Sequence, residues 1–107
     1  MAEEVLVVFT TWPTAEDAEH AARTLVEERL AACANIGASC QSIYRWQGAI
    51  ETSSEIPVMF KTTIGRYPEL ERRIKELHSY EVPEIVALRV TDGLPAYLRW
   101  VEDSCEG

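Results

Sequence analysis

Ser42-Ile43-Tyr44-Arg45-Trp46 alternates, with Ile43 and Arg45 on one face and Tyr44 and Trp46 on the other. That period of two is the mark of a strand. The surrounding stretch from Ala34 to Ile50 is rich in β-formers and predicts one long strand, with Gly37 marking a bulge or bend. Glu51-Thr52-Ser53-Ser54 reads as the turn, and Glu55 to Thr63 as the returning strand. Pro57 has no N–H to give a ladder, so it belongs at an edge or a bulge. Two strands in direct succession decide the fold, because a helix is expected on either side of them.

Upstream, Val5-Leu6-Val7-Val8-Phe9 is a continuous apolar run, read as a strand buried on both faces. Pro13 biases Trp12 away from the helical region and ends it. Thr14 is placed as an N-cap, with Asp17 three residues on and acids through the first turn. Ala18, Ala22, Leu25, Val26 and Leu30 follow helical spacing, which predicts a helix from about Ala15 to Ala32. Glu19, Arg23 and Glu27 lie four apart on its opposite face. Downstream, Gly65 breaks the strand and Pro68 suits the first turn of a second helix. Leu70, Ile74 and Leu77 form its apolar stripe, and Pro83 stops it. Ile85 to Val90 is the fourth strand, and Pro95 opens a short last helix with Leu94, Leu98 and Val101 inward. The expected class is therefore α+β: a ferredoxin-like βαββαβ sandwich with an extra C-terminal helix and a four-stranded antiparallel sheet. With no linker or repeat in 107 residues, residues 1–107 are expected to form a single domain.

Composition removes several functions. Hydrophobic residues make up 47% of the chain, too many for a disordered one. The formal charge is −8, whereas a nucleic-acid binder needs a basic face to displace counterions. No apolar run approaches the roughly 18 residues of a membrane span. Met1-Ala2-Glu3-Glu4 is acidic where a secretion signal would be basic, so the cytoplasm is the expected location. Cys33, Cys40 and Cys105 are odd in number and contain no Cys-x-x-Cys pair, which argues against a disulfide framework or a zinc knuckle. Cys33, just after the first helix, is expected to be a small core residue.

No phosphate-binding glycine loop, nucleophile elbow or zincin motif is present. His20 lies among charged residues of the first helix and reads as solvated. The segment His78-Ser79-Tyr80-Glu81-Val82-Pro83-Glu84 is denser in chemistry. It gathers an imidazole, a phenol and two carboxylates where a helix gives way to a strand. Such a donor set suits borderline divalent ions. Histidine answering the helix dipole is the structural alternative for His78. Trp12, Trp46 and Trp100, with Tyr44, Tyr80 and Tyr97, exceed what one small core needs, and aromatics concentrate between subunits.

Three stretches resemble the CutA family of divalent-cation tolerance proteins. They are Leu25-Val26-Glu27-Glu28-Arg29-Leu30-Ala31-Ala32-Cys33-Ala34-Asn35-Ile36, Ser42-Ile43-Tyr44-Arg45-Trp46-Gln47-Gly48, and Glu81-Val82-Pro83-Glu84-Ile85-Val86-Ala87-Leu88. Lys61-Thr62-Thr63 and Tyr97-Leu98-Arg99-Trp100 fit as well. The resemblance implies a ferredoxin-like fold and a tight homotrimer whose subunits join at strand edges. It implies a cytosolic, non-enzymatic protein in copper or other divalent-cation tolerance, with such a cation as ligand and no obligatory cofactor. The family's proposed copper ligands fall on Thr10, Leu77 and Glu84, with His78 one residue past the second, and Ser79 stands where the family has proline. Glu84, His78 and Glu81 are thus the candidate metal ligands. The alternative is a small-molecule sensor resembling trimeric PII-type signalling proteins, with an inter-subunit cleft lined by Tyr44, Trp46, Lys61 and Tyr80. A hydrolase similar to an acylphosphatase would want an arginine after the first strand, and Thr10 to Thr14 holds no basic residue.

Overall fold

The computed structural model describes residues 4–106. Met1-Ala2-Glu3, part of the acidic start, lies outside the described residues. The elements are β1 (Val5–Trp12), α1 (Ala15–Glu27), β2 (Cys33–Ile36), β3 (Cys40–Trp46), β4 (Ala49–Thr63), α2 (Tyr67–Leu77), β5 (Ile85–Arg89) and α3 (Pro95–Ser104). The sheet runs β2-β4-β1-β5, with β3 also paired to β4, and every pairing is antiparallel. This is the α+β, ferredoxin-like arrangement, with five strands rather than four.

The extra strand has a local cause. Residues 34–50 form two strands because the chain bulges at Gly37. Between the pairs Ile36–Val58 and Cys40–Glu55, residues 37–39 stand opposite residues 56–57, three against two. The Gly37 N–H donates to the Pro57 carbonyl at 2.8 Å, and a Cβ on Gly37 would meet Pro57 Cγ at 2.9 Å. The proline ring cannot swing aside, so the position takes glycine. Pro57 itself sits at this bulge, where no ladder bond is asked of it.

The turn lies elsewhere than at residues 51–54. Trp46 pairs with Ala49, so Gln47 and Gly48 form a two-residue loop, and both have positive φ, 49° and 82°. Positive φ at both positions is what a type I′ hairpin requires. β4 is consequently 15 residues long, and its first half pairs with β3 as an exposed arm.

α1 also ends earlier than residue 32. Arg29 adopts φ 60°, its N–H donates to Val26 O at 3.0 Å, and Leu30 N–H donates to Leu25 O at 3.1 Å. These two bonds are a Schellman cap, here with arginine in the left-handed position. Leu30 folds back into the core beside Leu25. At the other end Thr14 Oγ1 accepts from the Asp17 N–H at 3.1 Å. Thr14→Ala should therefore destabilise by about 1 kcal/mol. A lowered urea midpoint at unchanged slope checks it.

One core lies between the helices and one sheet face. Leu6, Val8 and Trp12 of β1 and Val58 and Phe60 of β4 meet Ala18, Ala21, Ala22 and Leu25 of α1 and Leu70 and Ile74 of α2. Arg73 of α2 reaches Glu28 at 3.0 Å, holding that carboxyl below its ordinary range, chiefly through the hydrogen bond. α3 packs separately, with Val101 and Cys105 against Val5 and Ala32. The expectation that β1 is buried on both faces is not met within one chain. Phe9 is 37% exposed, and its neighbours across the ladders, Met59 and Val86, share that uncovered face. Cys33 is half-buried rather than core, with its Sγ 3.6 Å from Tyr97 Oη, and the buried thiol is Cys105.

Candidate functional site

The site is built where β1 ends, α2 ends and the β3–β4 arm begins. Thr10 is buried on β1, and its hydroxyl donates to Val58 O at 2.8 Å while accepting from Trp12 Nε1–H at 2.8 Å. Trp12, itself 1% exposed, carries the His78 ring on its face, with centroids 4.3 Å apart. His78 caps α2 in extended conformation. Its Nδ1 accepts the Tyr80 N–H at 3.1 Å, which leaves Nε2 to carry the proton and donate to Thr11 O at 2.7 Å. Both ring nitrogens are engaged within the chain.

Tyr80 extends this network. Its hydroxyl donates to Glu55 Oε2 at 2.9 Å, and the Thr11 hydroxyl donates to the same oxygen at 3.4 Å. Burial, then the bond to Glu55, pushes the Tyr80 phenol up to about 12. The sequence Thr11, His78, Tyr80, Glu55 closes on itself and locks the segment after α2 against the root of the arm.

Above that lock opens a cleft of about 740 Å³. Tyr44, Trp46, Ser42 and Ile43 of β3, Glu51 and Glu55 of β4, Thr11 of β1 and residues 80–84 line it. Of the expected metal ligands, Glu84 and Glu81 line the cleft. His78 does not, and its ring is spent on the network beneath. Of the expected inter-subunit cleft residues, Tyr44, Trp46 and Tyr80 come together. Lys61 does not, because it lies farther along β4, where its ammonium donates to Asn35 Oδ1. At the two other positions implied for copper, Thr10 is buried with its hydroxyl occupied and Leu77 packs on the core. Among the described residues no three His, Cys, Asp or Glu side chains are grouped to hold a metal ion.

Glu51 and Glu55 escape a sequence reading that puts the turn at residues 51–54. The usable signal is Gln47-Gly48. A two-residue loop there pairs Tyr44 with Glu51 and Cys40 with Glu55, delivering both carboxylates to the arm.

Fold and site thus define a small ferredoxin-like protein with an acidic, aromatic-lined cleft at the root of a β-arm. The chain belongs to the CutA1 divalent ion tolerance protein family, whose model matches residues 6–104. It is 48% identical over 98 residues to the divalent-cation tolerance protein CutA of Thermus thermophilus, covering 92% of this chain and 95% of that one. The solved structure of a divalent cation tolerance protein from Thermus thermophilus superposes with a TM-score of 0.92 at 47% identity, covering 94% of this chain and 97% of the other. Protein CutA of Mus musculus is 43% identical over 102 residues, 95% of this chain but 58% of the mouse protein's length.

Proposed function

We propose that the protein acts in divalent-cation tolerance by binding rather than catalysis, as a cytoplasmic homotrimer of one-domain subunits. The observation that carries this reading is the cleft, where Glu51, Glu55, Glu81 and Glu84 line a shared space and, among the described residues, none forms an ion pair with a basic side chain. Copper or another divalent cation would meet Glu84 and Glu81 at its rim. Oxygen ligands from two side chains leave most of the coordination sphere to water, so binding is expected to be weak and exchangeable. No cofactor is required. The uncovered apolar sheet face around Phe9 supports assembly, since such faces mark interaction sites.

Calorimetric titration with copper(II) and zinc tests the ligand assignment. Glu84→Gln and Glu81→Gln should each weaken binding, and the double variant should lose less than the sum, because both act on one ion. His78→Ala should lower stability and leave the titration nearly unchanged, since both ring nitrogens already serve the fold. Unaltered affinity in the Glu81/Glu84 double variant would sink the assignment.

The second reading is a small-molecule sensor with PII-like architecture. It is favoured by the cleft's volume, which lies within the range of about 300–1,000 Å³ usual for organic ligands. Its walls of Tyr44, Trp46 and Tyr80 point the same way.

A further inference from the structure

We infer that the Asp92-Gly93 peptide is a self-modification site, where the folded protein converts Asp92 to isoaspartate and so loosens the seat of α3. The inference goes beyond the cation reading and uses residues outside the cleft.

The segment between β5 and α3 is tied at both ends and bare between. Val90 N–H donates to Val5 O at 2.9 Å, and Leu98 N–H donates to Leu94 O at 3.0 Å. Residues 91–94 are all exposed, and the chain bends at Asp92. Among the described residues, Thr91, Asp92 and Gly93 make no backbone hydrogen bond, and the Asp92 carboxyl forms no ion pair. A backbone so lightly held moves at little free-energy cost, and glycine puts no Cβ in the way of its own nitrogen. Those are the conditions for attack of that nitrogen on the preceding aspartate.

The step balances within the chain. Gly93 N bonds to Asp92 Cγ, and the hydroxyl of the protonated carboxyl leaves with the amide proton as water. The five-membered imide then takes up one water. Cleavage between N and Cγ restores aspartate. Cleavage between N and the Asp92 carbonyl carbon leaves the main chain running through Cβ and Cγ. Nothing is oxidised or reduced, and water is the only co-reactant. The reacting atoms belong to adjacent residues, so no second subunit is needed to complete the site.

The other aspartates are held differently. The amide after Asp17 is that of Ala18, which donates to Thr14 O at 3.1 Å at the start of α1. Asp103 lies within the helix Pro95–Ser104. Neither is followed by glycine.

The consequence follows from what Gly93 touches. A Cβ built on it would lie 3.1 Å from a Leu98 δ-carbon, so Leu98 packs directly over this peptide. Leu98 in turn packs against the cluster of Val5, Ala32, Val101 and Cys105. An isoaspartyl linkage adds one methylene to the main chain between Val90, anchored to β1, and Leu98. Gly93 cannot then keep its place under Leu98 while both anchors hold, and a packed interior does not absorb such a shift freely. The strain falls on α3, and Cys105, 3% exposed, becomes reachable.

The test ages the full-length protein, folded and in its native assembly, in mildly acidic buffer at body temperature, followed by tryptic digestion. Cleavage after Arg89 and Arg99 releases Asp92 in the peptide from Val90 to Arg99, while Asp17 and Asp103 leave in other peptides. Chromatography separates the isoaspartyl peptide from its parent of equal mass, and electron-transfer fragmentation assigns the linkage. Isoaspartate at residue 92 is expected at least tenfold above that at residues 17 and 103. Alkylation of Cys105 by iodoacetamide should quicken several-fold with ageing. In Asp92→Glu, whose longer side chain closes a six-membered ring far more slowly, it should not; an unchanged urea midpoint confirms that this exposed substitution keeps the fold. Equal traces of isoaspartate at all three positions would overturn the inference. So would isoaspartate that forms only during ageing in urea, since the fold would then hold residues 91–93 rigid. Isoaspartate at residue 92 with Cys105 no more reactive than in Asp92→Glu would overturn the loosening of α3.

Discussion

Phe9→Asp is expected to leave the protein monomeric where the wild type forms the proposed trimer. Phe9 sits at the middle of β1 on the sheet face opposite the helices, between Met59 of β4 and Val86 of β5. In the single chain it is 37% exposed, and Val86 and Leu88 beside it are 49% and 56% exposed. A carboxylate there is hydrated in the isolated subunit, so the monomer's own core, on the other face, is untouched. In the assembly the same carboxylate would be buried without a partner, at an effective cost of several kcal/mol for each copy. Sedimentation of the wild type at micromolar concentration should give three times the chain mass of 12.1 kDa, and of the variant, the chain mass itself. Wild-type thermal stability should rise with protein concentration, and that dependence should vanish in the variant. A wild type that sediments as a monomer would refute the assembly outright.

The same face explains where sequence reading succeeds and where it stops. The alternation in β3, the apolar run of β1, the Thr14 cap and the helical stripes are local, and the βαββαβ order follows from them. Val5-Leu6-Val7-Val8-Phe9 reads as buried on both sides because its composition is that of a fully covered strand. One chain covers the Leu6 and Val8 side and, through α3, Val5, but leaves Phe9 uncovered. Composition records that a surface wants covering, but not what covers it. Two misplacements have a different origin. Arg29 and Gln47 hold positive φ without being glycine, so the end of α1 and the arm's turn lack their usual markers. Shifting that turn from residues 51–54 to Gln47-Gly48 is what hides Glu51 and Glu55. His78 shows the limit for the site. Its sequence neighbours present it as a ligand beside Glu84, while its partners, Trp12 and Thr11, come from 66 and 67 positions earlier in the chain. The ring's own bonds, to the Thr11 carbonyl and from the Tyr80 N–H, join β1 to the segment after α2.

Trp12→Ala should be the most damaging single substitution at the root of the cleft. The indole is 1% exposed within the main core, its N–H is bonded to Thr10, and its face supports the His78 ring. Truncation leaves a cavity and is expected to cost about 3–5 kcal/mol. That is a large part of the roughly 5–15 kcal/mol typical of a domain. The effect should spread in a definite direction. Without the indole beneath it His78 loses its stacking partner, and the Tyr80 N–H that His78 Nδ1 accepts is held less firmly. The bond from Tyr80 to Glu55 then loosens, and the phenol should fall from about 12 toward its ordinary value of 10. A raised folded-state value means a stabilising contribution that is whole below pH 10 and is lost as pH rises through about 12. In the wild type, then, stability should decline across that window, and in Trp12→Ala the decline should be smaller. Trp12→Phe separates the two parts of the argument. It keeps an aromatic surface for His78 and gives up the bond to Thr10, so it should cost less and leave the Tyr80 titration near its wild-type position. Phenolate absorbance against pH, in protein kept folded by its denaturant midpoint, measures all three. A Tyr80 titration unmoved in Trp12→Ala would show that Glu55 alone, and not the stacked ring, holds the lock at the base of the cleft.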